Sequence, residues 1–95
     1  MAAYLIYNGL EVTDPDGMAD YRSKVGAVMD SFGGRVIDVG TEPEVLEGEW
    51  NGRCVLIEFP DMDALRRWYG SEDYKPLLET RLGAASGNVI VLDGL

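Results

Sequence analysis

The sequence predicts an α+β fold in which helices cover one face of an antiparallel sheet. Two patterns predict it. Apolar residues switch between strand-like alternation and helical spacing in the order β-α-β-β-α-β. Asn51-Gly52 stands between two extended runs, the strongest short signal for a hairpin, because both residues tolerate positive φ. A chain of 95 residues is enough for one domain, residues 1–95. Two βαβ-like halves joined by a hairpin make the split arrangement of ferredoxin-like folds, with the first and third strands at the centre.

Ala3 to Leu10, rich in aromatic and branched residues, reads as the first strand. Asp14 caps the first helix, Pro15 suits its first position, and Asp16 complements the helix dipole. Met18, Tyr21, Val25, Val28, Met29 and Phe32 form its buried stripe, and Gly33-Gly34 stops it. Arg35–Gly40 and Glu44–Gly48 read as one strand interrupted near Pro43. Arg53–Phe59 is the third strand. Asp61 caps a second helix whose apolar face carries Met62, Leu65, Trp68 and Tyr69. A short helix near Pro76 turns Leu77, Leu78 and Leu82 inward, Gly83–Gly87 is a loop of small residues, and Asn88–Asp93 closes the sheet.

The central strands are apolar on both sides. Tyr4 and Ile6 oppose Leu5 and Tyr7; Val55, Ile57 and Phe59 oppose Cys54, Leu56 and Glu58; Val89 and Val91 oppose Ile90 and Leu92. Helices in this topology cover one face only, so a second apolar face would meet water. A homodimer packed through the sheet face resolves this.

Composition narrows the chemistry. Acidic residues outnumber basic ones 17 to 8, for a formal charge of −9, with no Lys/Arg cluster, so nucleic acid and anionic membranes are poor partners. No histidine is present and Cys54 is the lone cysteine, which excludes a Ser-His-Asp triad and a Cys/His zinc site within one chain. Neither GxxxxGK[ST] nor GxGxxG occurs. No metal and no cofactor are expected. The lone cysteine, the lack of a signal-peptide pattern and the lack of a membrane-length apolar run point to the cytoplasm.

Two constellations remain. Glu58 stands in the apolar run Val55–Phe59. A two-residue turn at Asn51-Gly52 would set Glu58 opposite Val45 and Leu56 opposite Glu47, gathering Glu47, Glu49 and Glu58 with Cys54 on the face away from the helices. A carboxylate there is paired, solvated or protonated, and a raised pKa would suit an acid or base. A satisfied structural carboxylate paired with Arg53, Arg35 or Arg81 is the plainer reading and the one favoured here. Trp68, Tyr69, Tyr74 and Arg81 form the second constellation. Aromatic rings beside a guanidinium can line a slot for a flat or anionic molecule, although Trp68 also fits plain core packing. Trp50 is expected to stack on Arg53.

The ordered set Gly33-Gly34-Arg35, Val45-Leu46-Glu47-Gly48-Glu49-Trp50, Ile57-Glu58-Phe59-Pro60, Trp68-Tyr69-Gly70-Ser71-Glu72-Asp73-Tyr74 and Arg81 resembles the bacterial domain-of-unknown-function family 1330, over nearly the whole chain. The resemblance implies a ferredoxin-like fold of the dimeric α/β-barrel superfamily and no established activity. Tyr4, Tyr7 and Tyr21 match the aromatic-rich first strand and Tyr-containing first helix of such proteins. The short Asn51-Gly52 turn departs from their more varied connections. Related dimeric barrels include cofactor-independent oxygenases and isomerase-like proteins, an analogy of fold.

The expectation is therefore a small dimer that binds a small anionic or aromatic metabolite between sheet and helices. Cofactor-independent acid–base chemistry would use Glu58 for proton transfer, Arg53 or Arg81 for the anionic group, and Tyr69 or Tyr74 as hydrogen-bond donors. The alternative is a non-catalytic dimeric module for binding or interaction.

Overall fold

A computed structural model describes residues 1–94. The elements are β1 (Ala3–Val12), α1 (Pro15–Asp30), β2 (Arg35–Gly40), β3 (Arg53–Phe59), α2 (Met62–Tyr69), α3 (Lys75–Ala84) and β4 (Ala85–Asp93). All pairings are antiparallel and the strand order is β2-β3-β1-β4, so β1 and β3, apolar on both sides, are central, and β4, which shares that pattern, is at the edge. This is the ferredoxin-like arrangement expected from the sequence.

The helix boundaries follow from local chemistry. The Asp14 carboxylate accepts from the Gly17 N–H at 3.1 Å, with Pro15 at the first helical position. Gly33 ends the helix region with φ of +81°, the left-handed conformation that glycine adopts without a Cβ clash. Asp61 caps α2 by accepting from the Ala64 N–H at 2.8 Å.

The core lies between the sheet and the helices. Leu5, Ile57 and Phe59 rise from β1 and β3 to meet Met29 of α1, Leu65 and Trp68 of α2, and Leu77 of α3, all buried. Trp68 packs between Phe59 and Tyr74, with ring centroids 5.2 and 4.1 Å away.

Three local expectations are corrected. First, Glu44–Gly48 is not a strand, and Asn51-Gly52 is not a two-residue hairpin turn: Glu58 pairs with Arg35 and Leu56 with Asp38. Residues 41–52 form one long connection. The assumed register would have set Glu47 and Glu49 beside Glu58 on an apolar face, desolvating like charges. The connection leaves the sheet instead and keeps its glutamates in water. Asn8 secures its end, donating Nδ2 to the Asn51 carbonyl at 2.7 Å, and Gly52 takes φ of +81° with its Cα pressed against the Gly9 carbonyl.

Second, Leu82 faces outward, 64% exposed, whereas Arg81 is 7% exposed. Leu77, Arg81 and Ala84 share the buried side of α3 at spacings of one and two turns, and Leu82 falls off that stripe. Third, Gly83–Gly87 is not a loop. α3 runs through Ala84, β4 begins at Ala85, and the Ala84 carbonyl accepts from the N–H groups of Thr13 and Asp14 at 2.8 and 3.0 Å.

Gly34 has no room for a side chain. A Cβ there would collide with the Phe59 ring and stand 2.7 Å from Met29 Cγ. Gly34→Ala is expected to cost about 1–3 kcal/mol through overpacking of this corner, measured as a lowered urea midpoint with unchanged m-value.

Candidate functional site

The helix layer does not fill the space above β1 and β3. A cavity of about 300 Å³ remains between the sheet and α1, at the lower end of ligand-pocket size. Its walls are mostly apolar, with Leu5, Val55 and Ile57 from the sheet and Val25 and Met29 from α1. Glycines shape its floor. A Cβ on Gly87 would lie 2.8 Å from Tyr7 Cε1, and one on Gly9 would lie 3.0 Å from Tyr7 Cε2, so the Tyr7 ring lies flat only because both positions lack side chains.

Arg81 enters this cavity from α3. Its guanidinium carbon stands 5.2 Å from the centre of the Tyr7 ring, a cation–π contact. Tyr21 of α1 and Tyr74, which precedes α3, share a hydroxyl–hydroxyl hydrogen bond of 2.8 Å beside it. Burial pushes the Tyr21 phenol well above the ordinary tyrosine value, and the adjacent Tyr74 adds to the rise. Burial by itself lowers the Arg81 pKa, but the phenols of Tyr74, Tyr21 and Tyr69 outweigh it and the guanidinium is held more firmly protonated.

The partners of Arg81 are thus neutral rings and hydroxyls. Among the described residues the ion pairs are Lys24–Asp20 and Arg35–Glu58, and none of those four residues lines the cavity. A buried cation without a counter-anion is costly, and it faces an open volume. Such a cluster can bind an anion: the guanidinium supplies charge, and the Tyr21–Tyr74 pair keeps one hydroxyl proton free to donate. Trp68 also lines the cavity, and its buried Nε1–H has no partner among the described residues.

The structure brings Arg53, Tyr69, Tyr74 and Arg81 to this one cavity. Arg53, the first residue of β3, lies along the face that carries Val55 and Ile57, and its Nε is buried without a partner among the described residues. The expected stacking of Trp50 on Arg53 is absent among the described contacts; Trp50 is 46% exposed in the long connection.

Glu58 is not brought there. It lies on the opposite face, with Tyr4, Ile6, Cys54, Leu56, Ile90 and Leu92 as companions. The carboxylate accepts from Nε and Nη2 of Arg35 at 3.0 and 2.8 Å. The Arg35 hydrogen bonds hold its pKa below the ordinary carboxylate value, against a smaller opposing effect of burial, and its acceptance from Tyr4 raises that phenol. The direction is opposite to the one a general acid or base at neutral pH needs.

Tyr7 and Tyr21 were missing from the sequence reading of the site. The available signal was chemical: a tyrosine on a buried stripe carries a hydroxyl that must find a partner, and two such stripes converge on Arg81.

A family model described as "Domain of unknown function (DUF1330)" matches residues 2–95. No curated protein matches the chain. Among solved structures, the RPA0582 protein of unknown function from Rhodopseudomonas palustris is 20% identical, with a TM-score of 0.75, covering 99% of this chain and 82% of its own. SnoaB, a cofactor-independent oxygenase from Streptomyces nogalater, is 12% identical with a TM-score of 0.66, covering 99% and 92%. A dimeric ferredoxin-like protein of unknown function from Thermobifida fusca is 11% identical with a TM-score of 0.67, again covering 99% and 92%. At these identities the likeness is one of fold.

The Arg35–Glu58 pair generates a pH prediction. A carboxyl held below its ordinary value of 4.5 stabilises the fold fully above that value, and the stabilisation is lost as pH falls through the lowered native pKa. Glu58→Gln is expected to lower the urea midpoint slightly at pH 7, since Arg35 is largely exposed. The difference from wild type should vanish in acid below the native pKa. A gap that grows on acidification contradicts the assignment.

Proposed function

This chain belongs to the DUF1330 family, and from that premise we propose that it is a homodimeric small-molecule-binding protein whose ligand is anionic and largely apolar. One observation carries the reading: a buried guanidinium that meets rings and hydroxyls, but no carboxylate among the described residues, faces a cavity with greasy walls. An anion in contact with Arg81 would neutralise it at little further desolvation cost to the guanidinium, because Arg81 is already buried. Tyr74 donates to the bound oxygen, Tyr69 covers the ring of the ligand, and Arg53 stands at the β3 end. The apolar lining takes the body of the molecule.

The reading assigns no proton transfer to Glu58. Of the two alternatives, binding with chemistry and binding alone, the residues support binding directly. The oxygenase activity named for SnoaB is a property of a protein 12% identical, and for this chain cofactor-independent chemistry on a bound anion is the second reading, favoured by the same cation. A reducing compartment suits the free Cys54.

The dimer is proposed through the face that the helices leave bare. Ile90 and Leu92 are 54 and 49% exposed there, beside Ile6 and Leu56. A two-fold axis through such a face makes it self-complementary. Arg35 and Glu58 pair at its margin, and Asp38, opposite Leu56, accepts from the Val39 N–H at 2.8 Å.

Two measurements test these statements. Trp68 lines the cavity and Trp50 does not, so a Trp50→Phe background makes indole emission a reporter of the site. Metabolite-like aryl carboxylates are expected to change that emission, and Arg81→Gln to weaken their binding by about tenfold or more. Binding unchanged in Arg81→Gln removes the reading. Light scattering is expected to give twice the chain mass for the wild type, and the monomer mass for Ile6→Lys, which buries an unpaired ammonium in the contact. A monomeric wild type excludes the sheet-face dimer.

A further inference from the structure

The charge in the cavity is not Arg81 alone. Arg53 and Arg22 line the same space, and Glu11 is the single carboxylate among the lining residues. Three arginines against one glutamate is a reversal in a chain where acids outnumber bases 17 to 8. None of the three is in an ion pair among the described residues. With so many carboxylates on the molecule, charge neutralisation from within the fold was available, and the cavity does not use it.

Arg53 is seated there by construction. Gly9 is its cross-strand partner, and a Cβ on Gly9 would stand 2.9 Å from Arg53 Cγ and 3.2 Å from its Cδ. The missing side chain lets the Arg53 stem lie across β1, and its Nε ends up buried with no partner among the described residues. An orphaned buried donor on a cation calls for an acceptor. Arg81, by contrast, sits over Tyr7, whose cross-strand partner is Val55. Tyr7 and Gly9 are two residues apart on β1, about 7 Å at the rise of a strand. Arg53 comes from the sheet and Arg81 from α3, so the two cations reach the cavity from different layers.

We infer that the ligand carries two anionic groups on an apolar body, one held by Arg81 with Tyr21 and Tyr74, the other by Arg53, with the exposed Arg22 lining the same cavity. The inference rests on the reading of Arg81 as the primary anion site and goes beyond it in specifying a dianion. The two points explain features that one anion leaves idle: the bare Gly9, the orphaned Arg53 Nε and the third arginine on α1.

The test uses dicarboxylates from glutarate to sebacate, with terephthalate, each against its own monomethyl ester, by calorimetry on the full chain. The ester keeps the body and removes one charge. The wild type is expected to bind at least one diacid about tenfold or more tighter than its ester. Arg53→Gln should bring that diacid down to the level of the ester and leave the ester unchanged. Arg53→Lys should restore part of the preference, which a merely misfolded variant would not show. Arg81→Gln should weaken diacid and ester alike. Esters that bind through Arg81 with no diacid preferred, or an Arg53→Gln effect equal on both, overturn the second anion point and leave the single-anion reading intact. No binding of any diacid or ester, or binding indifferent to Arg81→Gln, overturns both.

Discussion

The central strands β1 and β3 are apolar on both faces, and this one constraint shapes the rest of the molecule. A sheet of four strands offers two surfaces, and three short helices can cover only one. On the covered side Phe59, Ile57 and Leu5 are sealed by Trp68, Leu65 and Met29. On the bare side no helix among the described residues covers Ile6, Leu56, Ile90 and Leu92, and a second copy would complete the burial that a domain of this size needs. The cavity and the uncovered face are thus two consequences of the same shortage of helix.

The cavity exists because the seal is uneven. At the end of the sheet where α2 packs, large rings fill the layer, with Trp68 packed between Phe59 and Tyr74. At Gly9 and Gly87 the sheet has no side chain of its own, the Tyr7 ring and the Arg53 stem lie across the gap, and the lining from α1 includes the small Val25 and Gly26. Dispersion contacts are lost where no atom fills the gap, so an empty apolar volume is a standing cost. Lining that volume with arginines adds the cost of desolvated charge. A fold selected only for stability would have filled the space or paired the cations, since hydrophobic replacement of buried charge is commonly neutral or stabilising. The combination is what a ligand site requires.

Much of this was legible in the sequence because it rests on local chemistry. Asp14, Pro15, Asp61 and Gly33 set helix ends through single hydrogen bonds or a single φ, and each acts within a few residues. The two-sided apolar pattern of β1 and β3 likewise requires only alternation. Trp68, Tyr69, Tyr74 and Arg81 could be named as a cluster because a guanidinium flanked by aromatics is unusual whatever its surroundings. What failed depended on partners far along the chain. The register of β2 against β3 was inferred from Asn51-Gly52, yet Gly52 takes its left-handed φ to pass the Gly9 carbonyl, a contact with a strand 43 positions earlier. The side of α3 that carries Arg81 was hidden because Leu82, four residues after the half-buried Leu78, mimics an inward stripe, and only the approach of Tyr7 and Tyr21 reveals which face is buried.

Glu58 illustrates why a carboxylate in an apolar strand is ambiguous from sequence. Burial raises its pKa and invites an acid–base role; two hydrogen bonds from one guanidinium lower it and make it structural. The choice between them depends on whether Arg35 or Val45 lies opposite, a matter of register alone. With Arg35 opposite, Glu58 holds the margin of the bare face while the cavity is left to the cations. The sheet therefore separates Glu58, compensated by Arg35 on the face where a second chain would dock, from the arginines that line the cavity. That partition follows from strand alternation: Arg53 and Glu58, both on β3, are five residues apart and so of opposite parity, and the pleat sends them to opposite faces.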